Sequence, residues 1–174
     1  MTKQVFLNRV VNGKADILQR FLDLLQELKV DYCVIGGLAV NAYVEPVVSL
    51  DLDLVVAADN LDKLSEAAIK KFTIKKFPHS LNLKSPHSDL RIQLQTDPRY
   101  QTFISRSLNK KVLGYRMKVA AVEDVLRGKV WAYSDEKRRK SKRQKDLADI
   151  FRLVETFPRL KKELPESIKA RMQE

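Results

Sequence analysis

Two aspartates alternate with leucines at the start of an apolar segment, and this pattern constrains the fold more than any other feature of the chain. Residues 49–57 have the sequence SLDLDLVVA. In a β-strand the side chains at i and i+2 point to the same face, so Asp51 and Asp53 are expected to lie side by side while the leucines face the core. The segment therefore predicts a strand with a buried face and a pair of adjacent carboxylates.

Such a carboxylate pair predicts a metal cofactor. Two close carboxylates repel each other, and the pKa of one of them rises unless a cation neutralises the pair. A hard divalent cation with oxygen ligands, Mg²⁺ or Mn²⁺, suits Asp51 and Asp53, and such a metal often completes its coordination with substrate phosphates. The pair is therefore a sign of phosphate-transfer chemistry.

A Gly-Gly pair precedes the acidic strand. DYCVI at 31–35 predicts a short strand, Gly36 and Gly37 follow it, and LAVNAY at 38–43 predicts the start of a helix. Glycine lets the backbone approach a ligand closely, and a helix start offers free N–H groups to a phosphate. The glycines are therefore candidate triphosphate ligands. The alternative is a plain strand-to-helix junction followed by two solvent-facing acids on an edge strand.

The remaining patterns predict an α/β (α+β) protein with a mixed sheet. Apolar residues at helical spacing alternate with short segments of strand periodicity up to about residue 120, and helical patterns follow. This predicts a core over residues 1–120 and a C-terminal helical region, residues 121–174, packed on it. Helices are predicted over 14–29, 61–71 (capped by Asn60), 98–108, 122–133, 145–157 and after Pro165, and strands over 72–77, 81–84 and 89–95 with a pair around Gly114.

Charge is the other informative feature. The 174 residues carry a net charge of +11, and 44% of them are apolar, which is enough for one core. From Lys70 to Lys118 there are twelve basic residues and two acids, and residues 137–145 hold seven basic residues and no acid. Positive fields of this kind favour polyanions such as RNA, DNA or nucleotides, and the alternative is a solvated surface.

Several classes of protein are disfavoured. Cys33 is the only cysteine, so there is no internal disulfide, and a lone thiol fits a reducing compartment. No signal-peptide pattern and no apolar segment of membrane-spanning length occur, so we expect a cytoplasmic protein with no membrane partner. His79 and His87 do not make a zinc site, and the dinucleotide, P-loop and nucleophile-elbow motifs are absent.

IGGLAVNAY followed by SLDLDLVV resembles the signature of the nucleotidyltransferase fold, the DNA polymerase β superfamily. That signature is a Gly-Gly or Gly-Ser turn, a helix, and a strand bearing Asp-x-Asp. The chain is most similar to the small bacterial type that includes abortive-infection nucleotidyltransferase toxins. LRIQLQTDPRYQTFISRS resembles a following strand and helix, and VEDVLRGKVWAY and RQKDLADIFRLVE resemble C-terminal helices of such proteins.

The resemblance implies an enzyme that moves a nucleoside monophosphate from an NTP to an acceptor. Asp51 and Asp53 match the aspartates that hold the metal, and a third carboxylate on a neighbouring strand would help a second metal and activate the acceptor hydroxyl. Lys129 resembles a helix lysine that touches phosphate, or is a surface lysine. Lys145 and Asp146 resemble a basic-Asp pair, or belong to i, i+4 ion pairs of Lys142 with Asp146 and of Lys145 with Asp149.

This chain departs from the pattern at the third carboxylate. On the strand predicted over 89–95, Asp89, Arg91 and Gln93 share one face, and Gln93 stands where the acid is expected. Either Asp89 serves or the third acid is missing, and Arg91 either pairs with Asp89 or binds a phosphate. A second departure is Val47-Val48-Ser49, where relatives often carry Arg or Lys upstream of Asp-x-Asp.

The sequence thus predicts a metal-dependent nucleotidyltransferase whose substrates are an NTP and an acceptor, with tRNA or other RNA held by segments 70–118 and 137–145. The alternatives are a degenerate module that binds nucleotide or RNA without chemistry, and a toxin–antitoxin role. The oligomeric state stays open. Predicted catalytic and metal residues are Asp51, Asp53 and Asp89, and predicted substrate-binding residues are Gly36, Gly37, Arg91, Lys129, Lys145 and Asp146.

Overall fold

A seven-stranded mixed sheet organises the protein. In the computed structural model, which describes residues 1–174, the strand order is β3-β4-β5-β2-β1-β7-β6. The central strands β1 and β2 run antiparallel, and each has a parallel neighbour, β7 and β5 respectively. The strands are β1 (Tyr32–Ile35), β2 (Asp51–Val56), β3 (Thr73–Phe77), β4 (Ser80–Lys84), β5 (Arg91–Gln95), β6 (Leu108–Val112) and β7 (Tyr115–Val119). The predicted α/β mixed sheet is confirmed.

Seven α-helices and three 3₁₀ segments surround the sheet. None of the helices combines the length and the apolar character needed to cross a bilayer. The α-helices are α1 (Lys3–Val10), α2 (Ile17–Glu27), α3 (Gly36–Val40), α4 (Leu61–Ala68), α5 (Val122–Ser134), α6 (Lys140–Thr156) and α7 (Glu166–Arg171). The 3₁₀ segments are Ala58–Asn60, Pro98–Arg106 and Pro158–Glu163.

The C-terminal helices lie against the sheet end that carries the aspartates. Helix α5 begins at Val122, just after β7, and packs against α6, and both helices contact α3. Their buried side chains, such as Leu126 and Ile150, belong to the same hydrophobic core as Leu52 and Leu54 of β2. A single core therefore fixes α5 and α6 relative to the acidic strand.

Some local predictions were wrong at the element ends. Strand β5 begins at Arg91 rather than at residue 89, because the Asp89 backbone N–H donates to the Val11 carbonyl after α1 instead of joining the sheet. Asn60 does not cap α4, since its side-chain oxygen accepts from the Asp31 N–H. Helix α1 was not predicted, because Leu7 is its only buried residue and gives no apolar stripe.

Candidate active site

The two strand aspartates lie at the start of β2, beside the end of β1. Asp51 and Asp53 are partly exposed, while Leu52 and Leu54 between and after them are fully buried. Strand alternation thus separates the carboxylates from the core, as the sequence predicted. Both carboxylates lie on the face of the sheet that points away from Leu52 and Leu54.

Gly36 makes room for the Asp53 carboxylate. Gly36 has φ +70°, a left-handed conformation that glycine adopts without a Cβ penalty. A Cβ added at Gly36 would collide with Asp53 Oδ2, whereas one at Gly37 would lie 3.3 Å from Ser49 Oγ. The first glycine is therefore required by the aspartate itself, and the predicted Gly-Gly turn sits directly beside the acidic pair.

Two basic side chains form ion pairs with Asp51. Arg91 Nε of β5 lies 2.5 Å from Asp51 Oδ1, and Lys142 Nζ of α6 lies 3.6 Å from Asp51 Oδ2. Arg91 stands opposite Asp51 in the parallel strand pair, so the register itself makes this contact. The sequence had left open whether Arg91 pairs with Asp89 or binds a phosphate. Its ion pair with Asp51 excludes the pairing with Asp89.

Asp53 has no ion pair of its own, although cations lie nearby. Burial and then the neighbouring Asp51 raise the pKa of Asp53 to about 6, and Lys129 is the first of the cations that lower it. Negative charge on Asp53 is thus only partly compensated within the protein. A cation or a proton at this carboxylate would relieve the excess charge.

An ionic cluster of Lys129, Arg138, Asp146 and Asp149 faces the aspartates. Lys129 Nζ is buried, 3.0 Å from Asp146 Oδ1 and 2.8 Å from Asp149 Oδ2, and Arg138 Nε lies 2.7 Å from Asp146 Oδ2. Burial opposes the charge on Lys129, but Asp149 and Asp146 outweigh it and raise the pKa of Lys129. The ionic cluster joins α5 to α6 at the edge of the site.

The contacts of the ionic cluster decide between the alternatives that the sequence left open for Lys129 and for the partners of Asp146 and Asp149. Lys129 is not a surface lysine, and Asp146 and Asp149 pair with Lys129 rather than with Lys142 and Lys145 one turn away on α6. Lys142 reaches Asp51 instead, and Lys145 is exposed with no ion pair. Helix packing, not i, i+4 spacing, decides these contacts.

A small cavity of about 80 Å³ lies between the sheet and the ionic cluster. Asp53, Gln93 and Gln95 line it from the sheet, and Lys129, Arg138 and Asp146 line it from the helices. Gly36 and Tyr100 complete its edge. The cavity therefore combines two carboxylates, two amides, the buried Lys129 ammonium and the partly exposed Arg138 guanidinium, and the amides and cations can contact phosphate and hydroxyl oxygens.

Asp89 does not join the other two predicted metal ligands. It precedes β5, and its Oδ2 accepts from Asn12 Nδ2 at 2.6 Å. Gln93, not an acid, stands opposite Asp53. Across residues 1–174, no group of three or more His, Cys, Asp or Glu side chains could hold a metal ion. The predicted trio of Asp51, Asp53 and Asp89 is therefore not assembled.

Three residues near the site were missed by sequence reasoning. Arg138 was visible only as a member of the basic run 137–145, and Lys142 only as that and as a possible helix partner of Asp146, neither of which indicates a side chain at the site. Asp149 had a better signal, because it lies one helical turn after Asp146 on the same face of α6. Only the packing of α6 against α5 brings Asp149 to Lys129.

Solved structures share this architecture. Three of them are ANT(2″)-Ia in complex with adenylyl-2″-tobramycin, the lincomycin-bound lincosamide antibiotic adenylyltransferase LnuA, and an antigenic nucleotidyltransferase-like protein from Paracoccidioides brasiliensis. Their sequence identities are 13%, 14% and 22%, and their TM-scores are 0.63, 0.57 and 0.50, respectively. The matches cover 90%, 82% and 85% of this chain and 97%, 99% and 75% of those chains.

The likeness is one of structure rather than sequence. No protein-family model matches the chain, and no curated protein matches it in a sequence search. The matched structures span most of the sheet and helices described above, and all three are described as nucleotidyltransferase-like or as adenylyl-transferring proteins. The expectation drawn from the Gly-Gly turn and the Asp-x-Asp strand is confirmed at the level of architecture: the protein has the nucleotidyltransferase fold.

Proposed function

We propose that the protein is a metal-dependent nucleotidyltransferase, which moves a nucleoside monophosphate from an NTP to an acceptor hydroxyl. The observation that carries the proposal is the placement of Asp53 beside Gly36 in a cavity that Lys129 and Arg138 also line, with Asp51 on the same face of β2. One acidic pair and several nearby cations are what a triphosphate and its counter-ion require. Fold alone does not fix a reaction, whereas the side chains at the site determine what chemistry is available.

The site residues fit one divalent cation. Asp51 and Asp53 offer hard oxygen ligands on the same face of β2, and the absence of a side chain at Gly36 leaves room around Asp53. Burial and then the neighbouring Asp51 raise the pKa of Asp53, and a cation bound there would favour its charged form. Mg²⁺ or Mn²⁺ held by Asp51 and Asp53 would supply charge neutralisation for the triphosphate.

The basic side chains have a separate role in this proposal. Arg91 and Lys142, which contact Asp51, and Arg138, which lines the cavity, would bind phosphate oxygens and the departing pyrophosphate. The acceptor oxygen forms a bond to the α-phosphorus, and the bond from that phosphorus to the pyrophosphate oxygen breaks. Gln93 cannot take the hydroxyl proton, and both strand aspartates would hold the cation, so the proton would pass to solvent water.

The acceptor class that we propose is RNA, with tRNA included. The support is the charge distribution: nine of the twelve basic residues between Lys70 and Lys118 form no ion pair, since only Arg91, Arg99 and Arg106 do so. Unpaired surface cations attract polyanions through counterion release. The tobramycin and lincomycin named with two matched structures belong to those proteins.

A second function is favoured by different observations. Gln93 faces Asp53 where the third carboxylate is expected, Asp89 is bound to Asn12, and Arg91 already neutralises Asp51. A chain arranged in this way could bind a nucleotide or RNA and perform no transfer. We keep this binding module as the alternative, because the same site geometry would serve it.

Label transfer separates the two functions. The protein is incubated with each α-labelled NTP, Mg²⁺ or Mn²⁺, and cellular RNA together with protein lysate, beside an Asp53→Asn variant. Asp59→Asn, which removes an exposed acid that forms no ion pair, is the matched control. Label on RNA with the wild type and Asp59→Asn, and none with Asp53→Asn, supports the enzyme. Metal-dependent NTP binding without any transfer would sink the enzyme and favour the binding module.

A further inference from the structure

The polar face of the sheet extends well beyond the two aspartates. Asp51 stands opposite Arg91 on β5, and Arg91 stands opposite Lys84 on β4. Paired residues on neighbouring strands point to the same face, so these side chains form a row that crosses three strands. Apart from the contact of Arg91 with Asp51, the row is a line of exposed cations.

A second row runs parallel to the first. Asp53 stands opposite Gln93, Gln93 opposite Asn82, and Asn82 opposite Lys75 on the edge strand β3. The distance from Lys75 to Asp53 is three strand spacings, about 14 Å. This row therefore leads from the edge of the sheet through two amides to the reactive carboxylate.

We call the side chains beyond the aspartates the sheet floor: Lys75, Asn82, Lys84, Arg91 and Gln93. The sheet floor contains no acid. Lys75 and Lys84 are exposed and form no ion pair, and Lys75 Nζ lies 5.2 Å from the ring centre of the exposed Phe77. Uncompensated cations on a face continuous with the site indicate an anionic partner.

The apolar residues of the same strands account for the core and leave the sheet floor free. Leu81 and Leu83 of β4 and Ile92 and Leu94 of β5 are buried on the opposite face. The polar residues that alternate with them point to the other face of the sheet. The sheet floor therefore consists of amide and basic side chains and contains no acid.

Asn82 adds an observation that points to a ligand. Its Oδ1 is buried and accepts no hydrogen bond. A buried carbonyl without a donor destabilises a fold, and native proteins satisfy almost all such groups. The Asn82 side chain is partly exposed between Lys75 and Gln93 on a row that ends at Asp53, and by rotation its amide can offer an oxygen or an N–H group to the edge of a nucleobase.

We propose that the sheet floor binds a single-stranded polynucleotide with its end directed toward Asp51 and Asp53. Lys75 and Lys84 contact its phosphates, and Asn82 and Gln93 contact its base edges, because phosphate contacts position a strand and base contacts specify it. An unpaired strand is required, since bases in a duplex do not present their pairing edges to side chains of a sheet. The role of this strand as the acceptor rests on the proposed transferase function, whereas its binding does not.

Fluorescence anisotropy tests the binding without metal or NTP. The probes are a 5′-fluorescein 12-nucleotide RNA of mixed sequence, the same sequence as DNA, and the RNA duplex. The test variant is Lys75→Glu/Lys84→Glu, and the control is Lys161→Glu/Lys162→Glu, an exposed pair distant in sequence that changes net charge equally. We expect at least a tenfold loss of single-strand affinity for the test variant and less than a threefold loss for the control.

Salt dependence provides a second measure of the same contacts. Loss of two phosphate contacts should lower the slope of log affinity against log salt by about 1.4 for a single strand. Equal losses for the two variants, preference for the duplex, or no binding of either single strand would overturn the proposal. Tighter binding of RNA than of DNA identifies RNA as the partner, and equal binding supports a single strand of either kind.

Asn82→Leu tests the base contact separately. We expect a loss of affinity of about fivefold, the size of one neutral hydrogen bond, with no loss of thermal stability because a buried unsatisfied group is removed. Unchanged affinity would contradict the assignment of Asn82. A wild-type protein that binds RNA through the sheet floor but transfers no label would refute the transferase and leave the binding proposal intact.

Discussion

Gln93 of β5 lies directly opposite Asp53 of β2, so an amide occupies the neighbouring-strand position where a third carboxylate would complete the site. Asp89, the nearest acid along the chain, is instead hydrogen bonded to Asn12. Two carboxylates suffice for one divalent cation, while a pair of cations needs further anionic ligands. The amide at residue 93 therefore limits the site to one divalent cation.

Gln93→Asp should create a second cation site. We expect the variant to bind about one more equivalent of Mn²⁺ than the wild type in the presence of a non-hydrolysable NTP, because the new carboxylate would lie beside Asp53. Electron paramagnetic resonance of free Mn²⁺ measures the stoichiometry. Gln95→Asp, on the same face two residues further along β5, is the matched control and should leave the stoichiometry unchanged. An identical stoichiometry for wild type and Gln93→Asp would show that this position is not a metal-ligand position.

Arg91→Gln should strengthen cation binding at the acidic pair. The Arg91 guanidinium contacts Asp51 and competes with a metal for the carboxylate. Because the arginine side chain is half exposed, its pairing is worth no more than about 1 kcal/mol, and we expect Mn²⁺ affinity without nucleotide to rise about threefold to fivefold. Isothermal titration measures it, with Arg99→Gln, whose partner is Asp97, as the control. Weaker Mn²⁺ binding by Arg91→Gln would contradict the competition.

Lys129→Met should destabilise the protein by about 3 kcal/mol. Removal of the ammonium leaves the buried Asp146 with Arg138 alone and the buried Asp149 with Arg152 alone, and the loss of one partner from a buried ionic cluster is strongly unfavourable. Urea denaturation at pH 7 measures the free energy of unfolding. Lys145→Met, on the exposed face of α6, should change it by less than about 0.5 kcal/mol. Similar stabilities for the two variants would mean that the ionic cluster does not hold α5 to α6.

Asp53→Asn should stabilise the protein above pH 6. The pKa of Asp53 is raised from 3.8 to about 6, chiefly by burial and then by Asp51, so its protonated form favours the folded state. That favourable contribution is fully present below pH 3.8 and is lost as the pH rises through about 6. Relative to wild type, the variant should therefore gain about 1–3 kcal/mol at pH 7.5 and little at pH 4.

Urea denaturation at several pH values, without added metal, checks this expectation. Asp59→Asn, which removes an exposed acid, controls for the change in net charge. A gain from Asp53→Asn that is equal at pH 4 and pH 7.5 would argue against a raised pKa. A loss of stability at pH 7.5 would show that the ionised carboxylate is held by stronger contacts than those described.

The alternation and the glycines were sufficient to predict the centre of the site. Strand periodicity alone places Asp51 and Asp53 on one face and the leucines on the other, because side-chain direction in a strand is a local property. The Gly-Gly pair can also be recognised in a short stretch of sequence. The reason that residue 36 must be glycine, the close approach of Asp53, is visible only in the folded structure. The mixed sheet and most of its elements also followed from patterns within short windows of sequence.

The partners of these residues were decided only by the tertiary structure. Whether Asp89 or Gln93 faces Asp53 depends on where β5 begins, and the contact of Asp89 with the end of α1 sets that register from 77 residues away. The pairing of Lys129 with Asp149 depends likewise on how α6 lies against α5. Sequence patterns determine which face of an element a side chain occupies, whereas long-range packing determines what stands opposite it, since register and helix position are fixed by contacts between distant segments.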